Sequence, residues 1–505
     1  MRIALIALYG IENNGVRYLT SILRRHGHSV CVIYFKNWRN NAIDLPTEKE
    51  VALLCGVLKE HAPSLVGLSF GSSYFKIAVR LTEEIRKAVA APVIFGGLHA
   101  TVVPERCIEV ADIVCVGEGE YAMVELAERL ERGQDIADIR NLWIRKDGEV
   151  VRNPLRPLVE DLDSLPFRDY SGQDVYEIAG NRLTPHDPIL LIPDFRINCS
   201  RGCFFKCAYC YNSILRQLYK NAGRYYRLRS VRNVVDEIRY AQGRFRRIRK
   251  VIFDDDVFAV DRQWLAEFAD TYKKEVGLPF ECLLHPDVVK EENLRLLKSA
   301  GLRRVQVGIQ SGSPREMAEV YDRSLPQDRL IELSRLYRDM QLEVVYDLLI
   351  DDPLATEQDK RELFEFIMRL ERPFNLFLYS LTVFPGTEIA RKLLQAGLIT
   401  EKDIEGESQK TFEQFRVSLD YPRPAFDRFI LALLVLSSKS FVPRSLIWWL
   451  YGRRFLERHP GPLLALAYAT NFVKMLWIAW KMLRRGELSR FKLHQFLSLK
   501  KMLIQ

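Results

Sequence analysis

The sequence predicts an α/β protein built in series: an N-terminal doubly wound, Rossmann-like sheet, a full or partial β/α barrel, and a C-terminal helical region. Three observations carry this. Short apolar, β-branched runs alternate with amphipathic helical ones up to about residue 136. The same alternation resumes near residue 190 and continues to about 420. From 421 the strand signals stop and the pattern is helical to the end. At 505 residues the chain exceeds one ordinary core, and about 100 to 200 residues per domain suggests about three units. Hydrophobic content of 48% and charged content of 28% fit a globular protein.

In order, RIALIAL (2–8) reads as a strand, followed by a helix near 16–26, SVCVIYF (29–35), SLVGLSF (64–70), a helix around 74–88, PVIFGG (92–97), DIVCVGEGE (112–120) and a helix to about 132. This is the pattern of a parallel sheet covered on both faces. From 137 to 189 it loosens into a hairpin turning at Lys146-Asp147-Gly148 and then the proline-bearing LRPLVEDLDSLPFRDY, read as a linker. Strand and helix signals then alternate through ILLIPDF, a cysteine loop, a helix near 230–242, KVIFDDD, a helix near 262–274, FECLLH, a helix near 290–299, RRVQVGI, a helix near 327–339, LEVVYDLLI and FNLFLYSLTVFP. Such repeats predict a barrel whose working ends are the loops after its strands. The expected units are 1–136, a linker at 137–189, 190–420 and 421–505.

The net charge of +9 is a property of the last unit. Residues 421–505 hold 15 Lys and Arg against Asp427, Glu457 and Glu487, a net of +12, leaving about −3 for the rest. Four of the seven tryptophans, Trp448, Trp449, Trp477 and Trp480, lie there too. FDRFILALLVLSS (426–438) and LLALAYATNFVKMLWIAWKML (463–483) are strongly apolar, but neither gives about 18 uncharged residues in a row, and Lys474 interrupts the second. Trp, Lys and Arg around short apolar helices fit an interfacial membrane helix or a lid over an apolar substrate, the plainer alternative being a helical cap with a solvated basic face. Nucleic acid is not expected as a partner, because the aromatics alternate with aliphatics instead of lining a polar groove. MRIALIALYG runs into a strand without the charged region and cleavage site of a signal peptide, so a cytoplasmic protein is expected, with peripheral contact at the inner face of the membrane.

Nine cysteines in such a chain do not suggest a disulfide framework, and four of them fall between 199 and 210. Cys31, Cys55, Cys107, Cys115 and Cys282 are isolated and expected to pack in cores. INCSRGCFFKCAYCYN places Cys203, Cys207 and Cys210 as CxxxCxxC directly after a strand. Three thiolates on one loop suit three corners of a four-iron, four-sulfur cluster and leave one iron open, whereas electron-transfer clusters usually have four cysteines. A structural zinc site would want a second ligand pair at a distance. Cys199 is a fourth candidate ligand, read here as packing.

With the aromatic Tyr209 before its last cysteine, this motif resembles the signature of the radical S-adenosylmethionine (SAM) superfamily. The resemblance implies a partial TIM barrel, a 4Fe-4S cluster on Cys203, Cys207 and Cys210, SAM chelated at the open iron, and Tyr209 near the adenine. VIFDDDVF (251–258) resembles the strand end that receives the SAM amine, making Asp254, Asp255 and Asp256 acceptors there, with a solvated strand end as the alternative. VQVGIQSGS (305–313) resembles a SAM-contact segment and nominates Gln310 and Ser311, Gln310 standing where a Glu is more familiar. DLLIDDPLATEQD (347–359) departs from the usual glycine-proline-glycine turn, and TVFPGTEIARKL (382–393) matches a PGT segment.

In the first unit, GLSFGSS (67–73), FGGLHATVVPE (95–105) and VGEGEYAMVEL (116–126) place small residues at strand ends, where open α/β sheets bind ligands. With RHGHSV (25–30) they resemble the cobalamin-binding domain found upstream of many radical SAM barrels. The resemblance nominates Tyr9, Gly10, Ser69, Gly71, Ser72, Gly97, His99, Thr101, Gly117, Glu118, Gly119 and Glu120 as the corrin's surroundings. The loop Tyr9–Gly15 lacks the DxHxxG histidine that ligates cobalt from below, and His26, His28, His61 and His99 are each expected to be ordinary polar residues rather than that ligand.

The function these resemblances imply is a cobalamin-dependent radical SAM enzyme that reductively cleaves SAM to a 5'-deoxyadenosyl radical and methylates an unactivated carbon of a small-molecule or lipid-like substrate. An external donor of flavodoxin or ferredoxin type would supply the electron. Oxidative ring closure, rearrangement or carbon-carbon coupling is the alternative within enzymes. A cobalamin sensor or membrane adaptor with a structural cluster is the alternative outside them.

Overall fold

Ile3, Leu5 and Ala7 of the first strand lie in one apolar cluster and Ala4, Ile6 and Leu8 in another. Only a strand covered on both faces divides its side chains in this way. The computed structural model describes residues 1–37, 45–258, 260–324, 326–407 and 422–484. Among these, β1 (Arg2–Leu8) is central to a nine-stranded sheet. Its other strands are β2 (Ser29–Phe35), β3 (Leu65–Ser69), β4 (Val93–Gly96), β5 (Ile113–Cys115), β6 (Leu142–Lys146), β7 (Glu149–Arg152), β8 (Val175–Ala179) and β9 (Arg182–Thr184). The order is β7-β6-β5-β4-β3-β1-β2-β8-β9, with parallel pairing from β5 through β8 and an antiparallel hairpin at each edge. Helices α1 (Asn14–Arg25), α2 (Glu48–His61), α3 (Phe75–Ala88), α4 (Leu98–Val102), α5 (Pro104–Ile108) and α6 (Glu120–Glu131) cover it.

The span 137–189, expected as a linker, is instead structural. Its hairpin β6–β7, turning at Asp147-Gly148 as predicted, extends one edge of the sheet, and β8–β9 extends the other. The stretch between them and the segment that follows β9 are pinned by buried cations. Arg17 of α1 makes two bonds to the carboxylate of Asp187, at 2.7 and 2.8 Å, and Arg168 reaches Glu237 at 2.8 Å. Neither pairing is visible in the proline-rich local sequence, which reads only as loop.

The second sheet contains β10 (Asp194–Ile197), β13 (Lys250–Phe253), β14 (Phe280–Leu284), β15 (Leu302–Gln310), β16 (Glu343–Ile350) and β17 (Asn375–Ser380), all parallel and in that order. It is a half-barrel. A two-residue ribbon of β11 (Ser200–Arg201) and β12 (Arg227–Leu228) sits beyond β10. The crossovers are α7 (Tyr211–Leu218), α8 (Val231–Gln242), α9 (Arg262–Glu275), α10 (Glu291–Ala300), α11 (Gln327–Asp339) and α12 (Glu357–Arg369), followed by α13 (Glu388–Gln395) and α14 (Glu401–Glu407). ILLIPDF begins as a 3-10 turn at Pro188–Leu191, so β10 starts only at Asp194. Pro193, lacking a donor, delays the ladder. The atypical segment after β16 is a helix start: Thr356 caps α12 and Asp359 caps back.

The C-terminal helices are α15 (Ala425–Ser437), α16 (Arg444–Tyr451), α17 (Arg454–Arg458) and α18 (Gly461–Arg484). Phe429–Ser437 of α15 is buried throughout and shares the barrel's apolar core with Ile447, Leu463, Leu464 and Ala467. The part of the helical expectation beyond Arg484 lies outside the described residues.

Candidate cofactor site between the two sheets

The carboxyl ends of both parallel sheets open onto one cavity of about 510 Å³. From the first sheet it is walled by Ser69, Gly97, Thr101 and Gly117–Glu120, all nominated from sequence. Leu5, Leu19, Gly67, Ile94, Cys115 and Met123 form an apolar slot running into that sheet. From the half-barrel side come Asn198, Ser200, Arg201, Gly202, Tyr219, Tyr225, Arg227, Arg229, Asp254 and Asp256. The wall therefore ends at Gly202, adjacent in the chain to Cys203.

Gly202 has φ 82°, and a Cβ there would lie 2.3 Å from the Tyr225 carbonyl oxygen, so only glycine turns the ribbon into the cysteine loop. In that loop Cys210 N donates to the Cys207 carbonyl at 3.0 Å, and Cys210 caps the amino end of α7. Burial pushes the Cys203 thiol up to about 12 and Cys210 to about 11, so both are neutral until metal displaces the proton. Among the described residues no three His, Cys, Asp or Glu converge closely enough for a single metal ion. In a four-iron cluster each thiolate binds a different iron, so the three sulfurs need not converge on one point. Cys199 is fully buried, its thiol 3.2 Å from Asp255 Oδ2.

The side chains beside the loop form a network. Arg323 donates to the Tyr209 hydroxyl at 2.8 Å, to His285 Nε2 at 2.7 Å and to the Gly308 carbonyl at 3.0 Å. His285 stacks on Phe205 with ring centroids 3.5 Å apart. Burial, aided by Arg323, pulls the imidazole down to about 3 and keeps it neutral as the acceptor. Tyr209 also packs edge-on against Tyr321.

The three aspartates after β13 separate. Asp254 is held by Arg196 at 2.7 Å and Asp256 receives a bond from Asn212 Nδ2 at 3.0 Å, both on the cavity wall. Asp255 turns inward instead, accepting from Ser200 N at 2.7 Å and Cys199 N at 3.1 Å. Burial raises its carboxyl to about 6 despite those donors. It anchors the base of the cysteine loop and does not face the cavity. Gln310, at φ 70° beside a register shift in β15, folds its amide over Gly308. The buried Ser311 hydroxyl donates to Glu316, so it too is spoken for within the protein.

Five residues nominated for the corrin lie off the cavity: Tyr9, Gly10, Gly71, Ser72 and His99. Tyr9 is buried and stacked on Tyr74 at 4.5 Å. Ser72 bonds Tyr211 at 2.7 Å and His99 Nδ1 at 2.9 Å, a chain joining α4 to the helix that follows the cysteines. Burial pulls His99 down to about 4. Among the described residues no histidine lines the cavity. His26 meets Glu128, His28 the amino terminus and His61 the Val57 carbonyl.

Glu118 ties the first sheet to the β11–β12 ribbon on the half-barrel side. Arg227 reaches it at 2.7 Å and Arg201 at 3.1 Å, while Arg201 also pairs with Glu120 at 2.6 Å. Burial opposes ionisation of Glu118, yet Arg227 and Arg201 hold its carboxyl below the usual range. The Glu118 amide donates to the Tyr219 hydroxyl at 2.9 Å. A Cβ on Gly117 would lie 2.1 Å from that oxygen. Sequence reading did not nominate Arg201, Tyr219, Arg227, His285 or Arg323. The only available signal was the arginine content near the motif.

Comparison with known proteins follows this geometry. The B12-binding domain model matches residues 4–127 and the radical SAM superfamily model residues 197–367. An uncharacterized methyltransferase of Pyrococcus horikoshii is 26% identical over 391 residues, covering 74% of this chain and 77% of that protein. The anaerobic magnesium-protoporphyrin IX monomethyl ester cyclase of Rubrivivax gelatinosus is 26% identical over 311 residues, 59% of this chain and 51% of that one. Among solved structures, the radical SAM methyltransferase TsrM of Kitasatospora setae, bound to tryptophan and a SAM analogue, superposes with a TM-score of 0.64 at 21% identity, over 78% of this chain and 76% of that one.

Proposed function

The chain is a radical SAM protein carrying a B12-binding domain, and from that premise we propose that it transfers a methyl group to an unactivated carbon of its substrate. The observation that supports this reading is the single cavity shared by the two domains and ending beside Cys203. The bound groups supply the chemistry: a 4Fe-4S cluster with SAM generates a carbon-centred radical, and methylated cobalamin donates the methyl.

The protein's part is to hold, orient and exclude. Cys203, Cys207 and Cys210 would take three irons and leave the fourth for SAM. Tyr209, held by Arg323, would lie along the adenine, and Asp256 would accept from the SAM amine at the cavity wall. The glycines at 97, 117 and 119, with Ser69 and Thr101, would let the corrin approach backbone, and the apolar slot behind them would take its displaced tail. Glu118 with Arg201 and Arg227 fixes the distance between the two halves of the cavity.

The test is an anaerobic, reconstituted preparation given methyl-labelled SAM and a low-potential reductant of flavodoxin or ferredoxin type. Expected are cobalt retention and 5'-deoxyadenosine formed together with labelled product. Ring closure is the second reading, motivated by the similarity to the Rubrivivax cyclase. In that case 5'-deoxyadenosine would form while the product gained no label. Neither 5'-deoxyadenosine nor labelled product would remove the enzymatic reading and favour a sensor or adaptor.

A further inference from the structure

The one charge described within the body of α18 points the wrong way for a solvated helix. Lys474 donates to Asn375 Oδ1 at 2.6 Å, at the start of β17, so the cation that interrupts this apolar segment is turned toward the barrel. Leu463, Leu464, Ala467, Thr470 and Asn471 face inward with it. The opposite side consists of Ala465, Leu466, Ala469, Phe472, Val473, Leu476, Trp477, Trp480 and Leu483, and it is exposed: Phe472 55%, Leu476 52%, Trp480 47% and Leu483 62%. At 3.6 residues per turn these positions share one stripe spanning roughly 140°, about 27 Å long. An apolar stripe of this width on a helix normally faces a core or a partner. Among the described residues nothing covers this one.

We infer that the outward stripe of α18 lies in the surface of an anionic lipid bilayer. Among the described residues no helix is long and apolar enough to cross a membrane, which leaves the interface plane for such a stripe. Its surroundings carry the matching charge: Arg484 lies over the Trp480 ring at 4.1 Å, and Arg453 over Trp449 at 4.3 Å on the connected α16. Trp and Arg flanking an apolar face are the anchors of a headgroup region. The +12 of residues 421–505 attracts anionic headgroups and repels a second copy of the same tail. Because Lys474 meets the first residue of β17, the C-terminal half of α18 lies at the barrel end opposite the cavity. The stripe is therefore an anchor and not a lid over the cavity.

The full-length protein is floated with vesicles of phosphatidylcholine alone and with added phosphatidylglycerol. Expected is flotation with the anionic vesicles that weakens in high salt. The double variant Val473→Glu/Leu476→Glu is expected to lose about tenfold or more in partitioning, with melting temperature, cofactor content and 5'-deoxyadenosine formation unchanged. The double variant Leu191→Glu/Leu398→Glu, an equal charge change at two other exposed leucines, floats as wild type. Wild-type protein that stays at the bottom with anionic vesicles, or a double variant that floats undiminished, overturns the inference. So does a wild-type dimer, seen by sedimentation equilibrium, that the double variant dissociates while neither binds vesicles: the stripe then belongs to a second copy.

Discussion

Arg323 holds the Tyr209 hydroxyl, His285 Nε2 and the Gly308 carbonyl with one guanidinium. Arg323→Met removes all three bonds and leaves Tyr209 free to swing. The expected result is full iron content with SAM affinity lowered about tenfold, about 1.4 kcal/mol, within the range for a charge-assisted bond, and partial rescue by Arg323→Lys. Equilibrium binding and iron analysis check this. Alanine at Cys203, Cys207 or Cys210 should abolish 5'-deoxyadenosine formation and the cluster absorbance, whereas Cys199→Ala should keep both, since Cys199 is buried against Asp255. The cysteine spacing was legible because it is contiguous. The inward turn of Asp255 was not, because three successive aspartates at a strand end look alike until the pleat assigns them to opposite faces. Arg323 was hidden for a different reason: it lies 114 residues beyond Tyr209.

Between the sheets, α8 carries Glu237 to Arg168 at 2.8 Å and Arg229 at 2.6 Å, tying a crossover helix to the stretch that precedes β8. Burial opposes its charge, but the two guanidiniums pull the carboxyl down from 4.5 to about 2. A depressed carboxyl stabilises the fold above its unfolded value. That stability is lost as pH falls from about 4.5 through about 2, by up to about 3 kcal/mol. Urea titrations across that range should show the acid loss, and Glu237→Gln should flatten it. Arg17→Met should cost about 3 to 5 kcal/mol, because Asp187 would be left buried and unpaired; differential scanning calorimetry would record the fall in Tm. At this scale the strands of both sheets were legible from apolar runs. The edge hairpin β8–β9 was not, although VYEIA carries strand-forming residues up to a Gly180-Asn181 turn, because it is short and the proline-bearing run before it reads as loop.

For the whole molecule, the helical tail is two things at once. α15 belongs to the barrel core, so a chain ending before Ala425 should aggregate, while one ending after Arg484 should fold and keep its cofactors; size-exclusion chromatography with metal analysis separates the two. Composition revealed the basic, aromatic character of this region but not that α15 is interior, because an apolar helix looks the same whether protein or lipid covers it. The closeness of Gly117 to Tyr219 matters in another way. The hydroxyl occupies the space a side chain at 117 would need, and Glu118 beside it is claimed by two arginines of the β11–β12 ribbon. The two halves are thus keyed to each other, and a chimera that swaps in a foreign first domain will seat only if the donor brings a glycine and an acid at these two places. In this chain exchange of the first domain therefore depends on five residues that meet across the cavity: Gly117, Glu118, Arg201, Tyr219 and Arg227.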